Sequence, residues 1–263
     1  MNQTSSRRIL LLAPHQDDEC LQTAGIIYQA AHSGAHVSVC FATNGEYASE
    51  ADAAVRAAES RSVLAALGVP AEQIYFLGYP DTGMPYEESF LRRLYDGCRV
   101  SASRWGRTET WRPDGQDFHF MRSGCHGTYT AASVLRDLSD VLALVNPDTV
   151  YVTAPGDCHG DHDALSRFTT QAVAAKAGTV IISAYNKYRG NYVVVSHGSG
   201  NTTTYQHLSS RSVSVGTYVA QGQVVGITGT TGVSSGPHLH FEITENGQII
   251  NPLKYLTDYI KGW

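Results

Sequence analysis

Long apolar runs are missing from this chain of 263 residues. None approaches the roughly 18 residues that a bilayer crossing needs. Near the amino terminus the apolar stretch Ile9-Leu10-Leu11-Leu12 is interrupted by Pro14 and then by charge, which is too short for the core of a secretory signal. The sequence therefore predicts no membrane span and no leader, and a cytoplasmic location. Cysteine pairs are missing too. Cys20, Cys40, Cys98, Cys125 and Cys158 are odd in number, widely spaced and without a C-x-x-C pair, which argues against a disulfide framework and for reduced thiols. Positive charge is in deficit: 19 Lys and Arg face 24 Asp and Glu, a net charge of -5, with no basic run. An electrostatic binder of nucleic acid or of a membrane surface is thereby excluded. Internal repeats and low-complexity tracts are absent as well.

What the chain does have is ample apolar content, 42% of its residues, enough for one large or two modest cores. From Arg8 to about Phe168, short apolar runs alternate with stretches of helical spacing, the rhythm of βαβ units and a mostly parallel, Rossmann-like sheet. Strands are expected at Ile9 to Ala13, His36 to Thr43, Ile74 to Leu77 and Thr149 to Ala154. Helices are expected at Cys20 to Ser33, Glu50 to Leu67, Glu87 to Gly97 and Thr130 to Val145, with glycine or Asn-Pro marking their ends. Between them, Arg99 to Tyr129 is rich in arginine, glycine and aromatics; a loop of that length is read either as a lid or sugar-stacking wall or as a surface excursion. Near Thr169 the texture shifts to β-branched residues and glycine, predicting an antiparallel β-rich sandwich. Its strands are expected at Thr179 to Tyr185, Tyr192 to Ser196, Thr202 to His207, Gln223 to Thr228 and His238 to Ile243, with a short closing helix after Pro252. The expected fold class is α/β followed by this sandwich, with domains at residues 1–168 and 169–263.

Two polar clusters follow apolar strands. Ala13-Pro14-His15-Gln16-Asp17-Asp18-Glu19 comes after the first, and Cys158-His159-Gly160-Asp161-His162-Asp163 after the fourth. In open α/β sheets the carboxyl ends of the strands form the ligand crest, so the two should face each other. Together they offer His15, Asp18 and His162 as a zinc set that leaves a position for water. Asp17 remains as a general base, with His159 as acid or oxyanion stabiliser held by Asp161. This is what amide hydrolysis needs. Taken alone, Asp-Asp-Glu also suits a helix amino terminus, where acidic residues complement the dipole.

These residues resemble a known family. His15-Gln16-Asp17-Asp18-Glu19 is similar to the His-Pro-Asp-Asp-Glu motif of the LmbE-like, or PIG-L, N-acetylglucosaminyl deacetylases, and His159-Gly160-Asp161-His162 to their His-x-Asp-His motif. Arg56-Ala57-Ala58-Glu59 and Gly78-Tyr79-Pro80-Asp81-Thr82-Gly83 fit the intervening helix and loop. The resemblance covers about residues 8–168, with Gln16 in place of the usual proline. It implies zinc on His15, Asp18 and His162, Asp17 as base and His159 near the oxyanion, acting on a small acetylated sugar or glycoconjugate. Arg56 is expected at the substrate, or else in an exposed pair with Glu59.

A second cluster, Gly236-Pro237-His238-Leu239-His240-Phe241-Glu242, sets two imidazoles two residues apart, on one face of a strand, within reach of His207. Over about residues 169–257 the order of motifs resembles the LytM/lysostaphin-type peptidoglycan metallopeptidases. That resemblance implies zinc on His240, assisted by His207 and His238, with peptidoglycan as the alternative partner and an extracellular location if this domain works on the wall. The family's other two ligands form an upstream His-x-x-x-Asp. Here only His159 and Asp163 have that spacing, and His159 already belongs to the first cluster. The chain thus reads as a deacetylase domain joined to an amino-truncated peptidase domain, with His207, His238 and His240 either a second site or vestigial.

Overall fold

The computed structural model describes residues 7–250 and 252, apart from 84, 114, 155, 174 and 237. The chain forms two compact units, 1–169 and 170–263. In the first, the elements run β1 (Arg8–Ala13), α1 (Asp18–Leu21), α2 (Ala24–His32), β2 (His36–Thr43), α3 (Glu50–Ala66), β3 (Ile74–Tyr79), α4 (Phe90–Tyr95), α5 (Phe118–Ser123), α6 (Ala131–Val145), β4 (Thr149–Val152) and α7 (Gly160–Thr169). The strands pair in parallel in the order β3-β2-β1-β4. The first unit is therefore α/β, and β1 is the strand from which the chain winds out in both directions.

The cause lies in the period of two along β1. Leu10 and Leu12 enter a core with Cys40, Leu77, Phe118, Leu138 and Phe168, whereas Leu11 and Ala13 enter another with Ile27, Phe41, Leu64 and Phe76. A sheet buried on both faces needs such an uninterrupted apolar strand. Each fully buried leucine contributes about 1.5–3 kcal/mol.

Several boundaries differ from expectation. The helix expected at Cys20 to Ser33 is two, because the Gln22 amide donates to Asp18 Oδ1 (2.9 Å) and the Thr23 hydroxyl to the Glu19 carbonyl (3.0 Å), which breaks the run before α2. The strand expected to end at Leu77 continues to Tyr79, since Gly78 adopts φ 80° and passes so close to the Trp111 backbone that a Cβ would lie 2.6 Å from its carbonyl oxygen. Helix α7 was not anticipated. It buries Ala164, Leu165 and Phe168 against the first core. The segment Arg99 to Tyr129 is no free lid: it carries α5, and Trp111 Nε1 donates to Glu46 (2.8 Å) while His119 Nδ1 bonds Asp137 (2.6 Å).

The second unit is antiparallel. It comprises β5 (Gln171–Val173), β6 (Gly178–Asn186), β7 (Gly190–Ser196), β8 (Thr202–Leu208), β9 (Ser210–Arg211), β10 (Tyr218–Val219), β11 (Val224–Ile227), β12 (His240–Glu245) and β13 (Gln248–Ile250). A six-stranded sheet, β10-β6-β7-β8-β12-β13, accompanies a three-stranded one, β5-β11-β9. Val180, Val193, Val195, Tyr205, Leu208, Val219 and Val225 form its core. Strand β6 pairs with β7 and β10, so it does not extend the parallel sheet. The closing helix expected after Pro252 lies outside the described residues. Among the described residues no helix is long and apolar enough to cross a membrane, and all five cysteines are free.

Candidate metal centre

His15 stands one residue beyond the Pro14 that follows β1, and His162 lies in the first turn of α7, after β4. These adjacent parallel strands flank the point where the chain reverses its winding, so the sheet itself brings the two motifs together. His15 Nδ1, Asp18 Oδ2 and His162 Nε2 form a triangle with sides of 3.5, 3.4 and 3.3 Å. Donors bound to one tetrahedral zinc at its usual bond lengths stand about 3.3 Å apart, so the residues present fit the ion that the motifs imply. Two further groups around His15 are close enough to share a cation among the described residues: His15 with His159 and His162, and His15 with Asp81 and Asp161.

Each ligand imidazole has a carboxylate behind it. Asp161 Oδ2 lies 3.2 Å from His15 Nε2, and Asp157 Oδ2 lies 3.3 Å from His162 Nδ1. Such partners fix the ring and the tautomer, leaving the opposite nitrogen for the metal. Electrostatics agree with a cation here. Burial would suppress protonation of His15, but hydrogen bonds to Asp161 and Asp18 and the charge of Asp81 outweigh it and push the imidazole up to about 10. Burial likewise tends to raise Asp18, and the hydrogen bond to His15 and the charge of His162 overcome it and hold the carboxyl low.

Two expectations need correcting in detail. Asp161 does not hold His159 through its carboxylate, which is spent on His15 and on the Leu91 N–H (2.7 Å); it reaches His159 only through its own backbone N–H, which donates to Nδ1 (3.2 Å). Arg56 is not a free substrate contact. Its guanidinium donates to the Gln16 carbonyl (2.7 and 3.2 Å) and to Asp81 (3.2 Å), and it pairs with Asp17 at 3.2 Å, so it clamps the His15 turn. The pairing weighed for Glu59 goes instead to Asp17 and Asp81. Asp17 itself is half exposed at the rim. The His159 ring sits 4.6 Å from that of His15 and 4.9 Å from that of His162, and burial followed by the charge of His15 lowers its pKa.

Sequence reasoning missed Asp81, buried 3.7 Å from His15, and Asp157. Their signals were a loop already matched to the family and an acid two residues before His159.

In the second unit, His207, His238 and His240 do come together, with ring centroids 4.8 Å (His207–His238) and 5.8 Å (His207–His240) apart. One nitrogen of each is hydrogen-bonded within the unit. His207, at φ 60°, bonds the Thr231 carbonyl (2.9 Å), His238 bonds the Gly236 carbonyl (2.8 Å), and His240 Nε2 pairs with Glu242 (2.9 Å). Strand β12 begins at His240, so His238 precedes it. The upstream pair is spent. Asp163, fully buried, accepts from Tyr86 (2.6 Å), Arg92, Arg167 and the Gly156 N–H (2.7 Å each). The carboxylate of the only His-x-x-x-Asp pair is therefore already committed within the first unit.

That Asp163 network also predicts a stability effect. Burial opposes its ionisation, but the hydrogen bonds from Arg167, Tyr86 and Gly156 hold the carboxyl well below the usual range. A carboxylate so depressed stabilises the fold at neutral pH, and that contribution is lost as pH falls below the ordinary carboxylate range. Asp163→Ala is expected to destabilise the protein by about 3 kcal/mol in denaturant titrations at pH 7 and to flatten the acid limb. A change within about 0.5 kcal/mol, the range of an ordinary surface site, would refute the network's role.

The profile of peptidase family M23 matches residues 161–252. The peptidoglycan DD-endopeptidase ShyC of Vibrio cholerae serotype O1 is 39% identical over 117 residues, 44% of this chain and 27% of that protein. The DD-carboxypeptidase/endopeptidase Mpg of Neisseria meningitidis serogroup B is 40% identical over 84 residues, 32% of this chain and 19% of that one. Lysostaphin of Staphylococcus simulans shares 31% identity over 35% of this chain and 41% of its own, with a TM-score of 0.33. The chain thus spans about a quarter or less of the length of these curated relatives. The profile of the GlcNAc-PI de-N-acetylases, PIG-L, matches residues 10–173, more than half of the chain and the whole of the His15, Asp18 and His162 centre, so the chain belongs to that family and carries an M23 peptidase segment behind it.

Proposed function

We propose that the first unit hydrolyses the acetamide of an N-acetyl amino sugar, with zinc held by His15, Asp18 and His162. The observation that carries this reading is the donor triangle of 3.3 to 3.5 Å. Zinc bound there polarises the amide carbonyl and makes water acidic enough to attack at neutral pH. Asp17, at the rim, takes the proton of the attacking water and passes one to the departing amine. Arg56 keeps that carboxylate at the mouth (3.2 Å). Because His159 Nδ1 accepts a backbone N–H, its own proton belongs on Nε2, where it can donate to the oxyanion as the carbonyl becomes tetrahedral. Collapse breaks the C–N bond and yields acetate and the free amine.

The second unit, on this reading, is a non-hydrolytic module. Its similarity to peptidoglycan endopeptidases makes a cell-wall glycan its partner and amino sugars of that polymer a fitting substrate class. The test is acetate release from an N-acetylglucosaminide by the zinc-loaded chain. Chelation should abolish release and one equivalent of zinc restore it. Zinc-loaded protein that frees no acetate, or release indifferent to chelation, would sink the proposal.

A further inference from the structure

On the side of the metal centre formed by β2 and its following loop, two indoles converge on one residue. Glu46 is fully buried. Its carboxylate accepts the Trp111 indole N–H (2.8 Å) and its carbonyl that of Trp105 (3.0 Å). Trp111 is buried beneath the Arg107 guanidinium, 3.9 Å from the ring centroid, which Glu50 holds in turn. Trp105 differs: its N–H is satisfied, yet 39% of the residue stays exposed. Beside it Tyr47 is 48% exposed, and Arg104 ties the two, donating to the Tyr47 carbonyl (3.1 Å) with its guanidinium 5.5 Å from the Trp105 ring.

The Tyr47 ring lies on Gly83, where φ is 71° and a Cβ would come within 2.2 Å of the ring. Gly83 donates its N–H to Asp81 (3.1 Å), and Asp81 stands 3.7 Å from His15. One short loop thus links the aromatic pair to the zinc ligands. The Trp105 ring is held by its indole hydrogen bond and the Tyr47 ring by its packing on Gly83, and both leave apolar surface open to water that a flat apolar ligand face can cover. Their orientation is fixed before any ligand arrives, so stacking costs little ordering.

We propose that Tyr47 and Trp105 form a subsite for a second sugar ring, the one joined to the N-acetyl sugar whose acetamide enters the metal centre. This rests on the deacetylase reading. The C–H face of a pyranose is apolar and flat enough to stack on an indole, while its hydroxyls stay in water. The preferred substrate is then a glycan of at least two rings.

The experiment compares acetate release from N-acetylglucosamine and from N,N′-diacetylchitobiose by the zinc-loaded full chain. Wild type is expected to favour the disaccharide in kcat/KM, and Trp105→Ala to reduce that preference about tenfold, the equivalent of losing one stacking contact, chiefly through KM. Trp105→Phe, which keeps a stacking face, should retain most of it, and Tyr47→Ala should act in the same direction as Trp105→Ala. A preference that is absent in wild type, or unchanged in Trp105→Ala because both substrates decline together, overturns the subsite. Wild type that releases acetate from neither sugar overturns the deacetylase reading and the subsite with it.

Discussion

Asp17→Asn is expected to slow acetate release by about 10²–10⁴-fold, the usual worth of a general base, while the protein keeps its zinc. Three consecutive acids follow Gln16, and the structure separates their work. Glu19 is buried, accepts the Asp17 N–H (2.9 Å) and the Ser60 hydroxyl (2.7 Å), and is raised by burial, so it braces the turn. Asp18 completes the donor triangle. Only Asp17 leaves its carboxylate half in solvent, 3.2 Å from Arg56. Its backbone carbonyl accepts from the Cys20 and Leu21 N–H groups, and asparagine preserves both that bond pair and the side-chain volume. Fold and metal content should therefore be conserved. Elemental analysis and acetate assay on the same sample decide: normal turnover removes Asp17 from the mechanism, and lost zinc would make it a ligand.

Much of this centre was legible because two simple regularities carry it. The unbroken apolar run Ile9 to Ala13 marks a doubly buried strand, and buried parallel strands deliver their following turns to one edge. Residues separated by 147 positions, His15 and His162, meet for that reason. Side-chain direction was less accessible. Spacing shows that Asp161 lies near both His159 and His15, yet only the packing of α7 decides that its carboxylate turns to His15. The same holds for Arg56, whose three partners, Gln16, Asp17 and Asp81, lie in segments distant along the chain. The Arg99 to Tyr129 segment was opaque because it is held by tertiary bonds to Glu46 and Asp137 rather than by any periodic pattern. Similarly, the break between α1 and α2 depends on a Thr23 hydroxyl competing for a helical acceptor, which apolar periodicity does not register.

The zinc count discriminates between one working centre and two. The full chain should bind one zinc, His15→Ala should bind none, and His240→Ala should retain one. An M23-type zinc would need His240 together with a His-x-x-x-Asp pair, and the only residues with that spacing, His159 and Asp163, lie in the first unit. Asp163 cannot be recruited cheaply: freeing its carboxylate would remove the acceptor shared by Arg92, Arg167 and Tyr86 and leave the Gly156 N–H without its own. Breaking such a buried network costs about 3–5 kcal/mol. His240 meanwhile pairs with Glu242 (2.9 Å), and its ring stands 5.8 Å from that of His207. On the proposed reading the histidines serve as packing and hydrogen-bonding residues of the second unit. Peptidoglycan cross-bridge cleavage by the purified chain should be undetectable, before and after His240→Ala. Two zincs per chain, with one lost in His240→Ala, would overturn this reading and make the second unit an enzyme in its own right.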